Sequence, residues 1–333
     1  MKDKNSLLNK YLYIFPNCVV TKGYTRSTIV DLQFFNFKYI PNSLAEIISK
    51  YNSKTIASIY KNFPLEDHST LDEYIDFLLD SKYAFISSEI IKFIPLNKMI
   101  LNQEYFSNAI IEIGKNSTRE LISTILMKLE SLGIWYLKVI IYEEDNLPYF
   151  IKALYDKSLT HVELILTKRC FDKFYSILKD PRISCISIYN SDYTKSELYN
   201  NIKLNYKIES LDELPILCAQ IKFSKFNFNI NSYLDSLSGN SCLWGKICIT
   251  DNGNVKRCIF SSISFGNIAD SSFLKNEQFI QLGRINKNSI KKCQDCEYRM
   301  LCTDCRTYTT DNNTLFSPPK FCKYNPYKGK WEL

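Results

Sequence analysis

Eight of the twelve cysteines in this chain lie between Cys242 and Cys322. That crowding constrains the C-terminal third more than any apolar pattern there, because such a segment takes its shape from what its thiols bind. Cys242 and Cys248 are separated by five residues, and Cys258 follows a turn at Asn252-Gly253, a pair that favours tight hairpins. Cys293 and Cys296 form one CxxC and Cys302 and Cys305 a second, with Cys322 alone beyond "SPPKF". The N-terminus "MKDKNSLLNK" has neither an apolar core nor a small-residue cleavage site, so no secretory signal is expected. No apolar run approaches the roughly 18 residues of a membrane span, so no membrane partner is expected. The expected compartment is the cytoplasm, where disulfides are rare and clustered cysteines read as metal ligands.

Four thiolates satisfy one zinc ion or one iron–sulfur cluster, so eight make two sets of four. Structural zinc usually uses knuckles well apart in sequence, often with a histidine. This region has none, and the chain's two histidines are His68 and His161. Cluster ligands tolerate close spacing, because each binds a different iron. Both points favour two [4Fe–4S] clusters, with two Zn2+ ions in all-cysteine sites as the alternative. Cys18, Cys170, Cys185 and Cys218 stand singly in strand or helix patterns and read as buried small hydrophobes.

Upstream, two patterns divide the chain. "YLYIF", "CVVTK", "TIVDLQ" and "FKYI" are short β segments separated by turn signals. Three helical patterns follow, the first with Ser43 as its expected N-cap, and "YAFISS" closes the unit as a strand. Strands followed by three small helices describe a winged-helix-like domain over residues 1–100. From "NAIIEI" onward, strand and helix alternate at roughly 25-residue intervals, which argues for a parallel sheet. The first helix is expected to be capped by Ser117 and stopped by Gly133. About four such units fit before residue 205, too few for an eight-fold barrel. Residues 101–240 are therefore expected to form a partial βα barrel, with "CAQIKFSKFNFNI" as an exposed-face strand. Residues 241–333 form the cysteine-rich domain. The overall class is α/β.

The net charge of +7 is spread along the chain rather than gathered in one run, so no nucleic-acid partner is expected. Glycine is scarce at nine residues and no phosphate-binding loop occurs. His161 and Cys170 are nine residues apart, a spacing common by chance, and are not read as a nucleophile pair. Asp251 and Asp304 read as turn and capping residues. Arg299 and Arg306 flank the cysteines, where they either balance thiolate charge or bind an acidic peptide, or are simply solvated.

The pattern of Cys242, Gly253 and Cys258, then Cys293, Cys296, Cys302 and Cys305, then Cys322, resembles a SPASM domain, the C-terminal module of many radical S-adenosylmethionine peptide maturases. "CEYRMLCTDCRTYTTDN", "FCKYNPYKGKW" and "STIVDLQFFNFKYIPNSL" resemble the SPASM protein of grasp-with-spasm systems, which pair it with an ATP-grasp ligase and a short precursor peptide. The resemblance implies two auxiliary [4Fe–4S] clusters. Cys242, Cys248, Cys258 and Cys305 would hold the first, and Cys293, Cys296, Cys302 and Cys322 the second. The family motif has three residues between its last two clustered cysteines, and here only Thr303 and Asp304 intervene. Radical enzymes of the family also need a CxxxCxxC loop after the first barrel strand. The matching segment here reads "GKNSTREL", and no CxxxCxxC occurs in the chain. The middle domain is thus expected to be a degenerate barrel with no catalytic residue and no bound S-adenosylmethionine, which leaves open whether the chain is an enzyme. By the same resemblance, the 18–40 strands and the helix at 70–81 would bind the leader segment of a precursor peptide as an added strand, and an ATP-grasp ligase would close the macrocycle. Two alternatives remain: an active peptide-modifying iron–sulfur enzyme, and a zinc-stabilised peptide-binding scaffold.

Overall fold

The computed structural model describes residues 4–96, 106–155 and 157–332. Four short strands open the chain: β1 (Tyr11–Ile14), β2 (Cys18–Lys22), β3 (Ser27–Asp31) and β4 (Asn36–Ile40). Then come α1 (Asn42–Tyr51), β5 (Lys54–Thr55), α2 (Ile56–Lys61), α3 (His68–Asp80) and β6 (Ala84–Ser87). β2, β3 and β4 form an antiparallel meander, and β1 pairs with both β5 and β6. The three helices bury Leu44, Ile48, Ile56, Ile59, Leu71 and Ile75 in one core with Ile29 and Ile40 of the meander. Ser43 is not the cap of α1. The helix starts two residues earlier than that cap would set, at Asn42, with Pro41 in the N-cap position. The Ser43 hydroxyl instead bonds Tyr74 Oη at 2.8 Å, joining α1 to α3.

The central sheet is built from β7 (Asn108–Ile113), β8 (Tyr136–Ile141), β9 (His161–Thr167), β10 (Ile183–Tyr189), β11 (Lys195–Tyr199), β12 (Ile202–Tyr206), β13 (Lys246–Ile249) and β14 (Val255–Lys256). Their order is β11-β12-β10-β9-β8-β7-β13-β14, and the six inner strands are all parallel. Helices α4 (Arg119–Ser131), α5 (Leu147–Ala153) and α6 (Lys168–Lys173) provide the crossovers. They cover one face, where Ile111, Leu137, Val139, Val162, Leu164 and Ile186 are buried. The partial βα barrel is therefore present. The cysteine-rich region adds its own first strand to it, because β13 pairs in parallel with β7.

Strand registers align one row on the opposite face: Cys248, Ile110, Lys138, Glu163, Cys185 and Lys203. Lys138 and Glu163 pair there at 2.9 Å. Beyond the sheet lie α7 (Leu214–Ala219), α8 (Ile230–Ser238), α9 (Glu277–Arg284) and the small hairpin of β15 (Tyr324–Asn325) with β16 (Lys330–Trp331).

Two further sequence expectations need correction. Thr118, not Ser117, caps α4, its hydroxyl accepting from Leu121 N at 3.2 Å. The segment "CAQIKFSKFNFNI" is not a strand. It runs through the end of α7, a short 3-10 turn and an extended stretch. Its alternating aromatics pack on other aromatics: Phe226 lies 5.2 Å from Tyr298, and Phe228 stacks on Phe37 at 5.5 Å. Among the described residues no helix is long and apolar enough to cross a membrane.

Candidate metal centres

The first cysteine set is assembled from the end of α8, the β13–β14 hairpin and the strap at 293–305. A Cβ on Gly239 would fall 2.2 Å from the Gly283 carbonyl, so only glycine lets α8 end this close to α9. Asn240, fully buried, follows. Its Oδ1 accepts from Cys242 N at 3.0 Å and Leu243 N at 3.1 Å, and its Nδ2 donates to Asp304 Oδ2 at 2.8 Å. One side chain thereby fixes the backbone at Cys242 and ties it to the strap. Cys248 lies fully buried on β13, its thiol 3.4 Å from the Arg257 carbonyl. Arg257, directly before Cys258, is itself buried. It donates to the carbonyls of Phe279 at 2.6 Å and Lys246 at 2.8 Å, with its guanidinium 4.0 Å from the Phe279 ring centre. Burial pushes that guanidinium down to about 10.

These thiols act on one another electrostatically. Cys248 lies in the field of Cys258 and Cys242, and Cys305 in the field of Cys242 and Cys258. Lys246 joins them, its Nζ 3.6 Å from Cys242 Sγ. Burial opposes its charge, yet the thiols of Cys242, Cys248, Cys258 and Cys218 push its ammonium up to about 12. Cys218, on α7, was expected to be an isolated hydrophobe. Instead it is exposed and lies in the field of Cys242, Cys258 and Cys305, which makes it a fifth thiol at the first set.

The second set gathers Cys293, Cys296, Cys302 and Cys322. Cys293 lies in the field of Cys302 and Cys322, and Cys296 in that of Cys302 and Cys293. Cys322 is drawn in by a parallel bridge to Ile221. The short Thr303-Asp304 spacer turns on Asp304, whose φ of 55° is left-handed, a conformation that aspartate tolerates better than most residues. Cys302 and Cys305, although close in sequence, feel different thiols: Cys322 acts on Cys302, and Cys242 and Cys258 act on Cys305. Burial pushes the Cys302 thiol up to about 12 and raises Cys248, Cys258, Cys293, Cys296, Cys305 and Cys322 as well. Buried thiols resist ionising unless a cation binds the thiolate. Eight sulfur donors in two neighbourhoods fit metal centres, and no ordinary carboxylate or histidine chemistry uses such a set.

The flanking polar groups make specific contacts beyond their turns. Asp304 and Arg306 have side chains 0% and 3% exposed and pair at 2.5 Å. Arg299 donates to Asn288 Oδ1, the Cys296 carbonyl and the Lys22 carbonyl, tying the strap to the N-terminal meander. Asp251 accepts from Asn116 Nδ2 at 3.0 Å, and its carbonyl accepts from Ser117 Oγ at 3.2 Å. The "GKNSTREL" loop after β7 is thus held against the β13–β14 turn. A cavity of about 680 Å³ opens beside Lys246, lined among others by Asn108, Tyr136, Lys138, Asp235 and Trp244.

Residues 241–297 match the family model of SPASM, an iron–sulfur cluster-binding domain. No curated protein matches the chain. Among solved structures, Streptococcus suis SuiB bound to precursor peptide SuiA is 11% identical. The alignment spans 94% of this chain and 100% of that one, with a TM-score of 0.36. The same protein bound to S-adenosylmethionine is also 11% identical over 89% of this chain and 96% of that one, with a TM-score of 0.32.

Proposed function

We propose, from a C-terminal region that matches the SPASM iron–sulfur domain, that this protein is an accessory component of ribosomal peptide maturation. In this reading it binds a precursor peptide and carries two [4Fe–4S] clusters, while an ATP-grasp ligase performs the macrocyclisation. One observation supports the reading: Cys242, Cys248, Cys258, Cys293 and Cys296 lie within the matched residues 241–297, and Cys302, Cys305 and Cys322 follow closely. In this reading Cys305 joins Cys242, Cys248 and Cys258, while Cys293, Cys296 and Cys302 join Cys322. Among the described residues no three Cys, His, Asp or Glu side chains are close enough to share one metal ion. When bound, the clusters would supply electron storage or a rigid frame.

The chain's own residues support a non-radical role. The segment after β7, where a radical enzyme would place its cluster cysteines, contains none, and Asp251 holds that segment closed through Asn116 and Ser117. Peptide capture would fall to the N-terminal unit. There β4 is an edge strand; Tyr39 on it, and Phe34 and Phe35 in the turn that leads into it, are exposed. An extended peptide adds to such an edge through main-chain hydrogen bonds.

Anaerobic reconstitution with iron, sulfide and zinc analysis tests the reading. About eight irons with matching sulfide per chain support it. Two zinc ions without sulfide would replace the clusters by a zinc-held scaffold. For the peptide role, a pull-down of the precursor with Phe34→Asp/Phe35→Asp should lose binding, and undiminished binding would remove the edge from the account.

A further inference from the structure

Lys287 is among the most buried large side chains, with 1% of its surface exposed. It opens a short 3-10 turn (Lys287–Ser289) just after α9. Its ammonium donates to Ser236 Oγ and Ser241 Oγ, both at 3.3 Å. Those are two long bonds to neutral acceptors. A buried ammonium so weakly solvated is costly unless negative charge lies close by.

Ser241 directly precedes Cys242, and its hydroxyl donates to the Cys302 carbonyl at 3.3 Å, so the ammonium lies one hydroxyl away from the backbone of both sets. Burial lowers the hold of Lys287 on its proton, and Cys302, Asp304, Cys293 and Cys242 oppose that. Asp304 is already engaged by Arg306 and Asn240. Asp235 also feels Lys287, after Lys246. The sulfur near Lys287 comes from both sets: Cys302 and Cys293 from the second, Cys242 from the first. As neutral thiols these groups would leave the ammonium stranded. As ligands of anionic thiolate-held centres they neutralise it.

We propose that Lys287 is a counter-ion shared by the two metal centres and sets the reduction potentials of both. This rests on the iron–sulfur reading above. A fixed cation stabilises the more negative, reduced state of a cluster, so its loss lowers the potential. Lys246 is the internal comparison, because its thiol neighbours are Cys242, Cys248, Cys258 and Cys218, with none from the second set.

The test is an EPR-monitored redox titration of the reconstituted full chain. Lys287→Met should shift both midpoint potentials to more negative values. Lys287→Arg, which keeps the charge, should return them toward the parent values, and Lys246→Met should move only one. If Lys287→Met keeps its iron and leaves either potential unmoved, the shared role is wrong. If Met removes the iron and Arg retains it at parental potentials, the charge is what matters and the proposal stands. Loss of iron in both variants assigns Lys287 to packing and overturns it. A parent protein that takes up no sulfide fails the iron–sulfur reading itself, a separate and recognisable result.

Discussion

Arg26 and Glu297 lie 271 residues apart and form an ion pair of 2.8 Å. The Glu297 side chain is 0% exposed and that of Arg26 31%. Glu297 stands in the strap directly after Cys296, so the pair fastens the β2–β3–β4 meander to the second cysteine set. Thr28 adds a hydroxyl bond to the Glu297 carbonyl at 2.9 Å, and Tyr24 N one to the Asp295 carbonyl at 2.8 Å. The Glu297 carboxylate also accepts from Tyr324, while its other oxygen, Oε2, has no partner among the described residues.

Replacing Arg26 by methionine therefore leaves a buried carboxylate without its cation. The expected loss is about 2 kcal/mol, at the lower end for a broken buried pair because Arg26 is partly exposed. Glu297→Gln should cost less, since a neutral amide oxygen still accepts from Arg26. Urea denaturation of the reconstituted protein measures both, and an unchanged midpoint in Arg26→Met would mean the latch contributes nothing.

None of that latch was legible in the sequence, and the reason is general to this fold. The βα repeat could be read because periods of 2 and 3.6 are local. The thiol pattern could be read because Cys is rare and its spacing ordered. Lys246 could have been found too: strand alternation puts it on the same face as Cys248. Lys287 could not, because nothing in "INKNSIKK" separates one buried lysine from its solvated neighbours. Cys218 was misread because the contact of α7 with the first set is long-range. The Phe-rich stretch after it was misread because its alternation arises from aromatic packing on Tyr298 and Phe37, not from sheet pairing.

Glu112 gives the chain a pH signature. Burial pushes its carboxyl up to about 7, with Asp251 adding to the rise and Lys256 opposing it. A carboxyl that is harder to ionise when folded holds its proton longer in the native state. Its contribution is full below the unfolded value near 4.5 and is lost as pH rises through about 7. Glu112→Gln should remove that slope and leave the protein more stable than the parent at pH 8, by about 1 kcal/mol after allowing for residual exposure. Denaturation curves from pH 5 to 8 decide the matter; parallel profiles would mean the group is not burdened.

The five thiols of the first set outnumber the four ligands a cluster takes. Cys248 is fully buried and Cys218 exposed. Burial raises the Cys218 thiol to about 11, so only a small thiolate fraction reacts near neutral pH; in the iron-loaded protein, prolonged iodoacetamide treatment should label Cys218 slowly, faster as pH rises, and spare Cys242, Cys248, Cys258 and Cys305. Peptide mapping by mass spectrometry reads this directly. Protection of Cys218 together with labelling at Cys248 would exchange their roles.

The loop after β7 should be inert toward S-adenosylmethionine. With dithionite and the cofactor present, 5′-deoxyadenosine should not rise above a cluster-free control, since no CxxxCxxC exists to leave one iron open. Asp251→Ala should loosen the Asn116–Ser117 contacts, seen as faster amide exchange at residues 114–118, without restoring turnover. Cofactor cleavage by the parent protein would overturn the reading of a non-catalytic barrel.

The assignment of Cys305 to the first set separates the two centres experimentally. Cys302 and Cys305 are three positions apart, and a simple four-cysteine knuckle would place both on one metal. In the proposed arrangement, the left-handed turn at Asp304 sends Cys305 to Cys242 and Cys258 and leaves Cys302 with Cys322 and Cys293. Cys305→Ala and Cys258→Ala should thus remove the same centre, each leaving about half the iron. Cys322→Ala and Cys302→Ala should remove the other. The EPR signals left by the two pairs should be complementary, and together they should reproduce the parent spectrum. Were Cys305→Ala and Cys302→Ala to abolish the same signal while Cys258→Ala left it intact, the strap would be a single knuckle and the interleaved arrangement wrong.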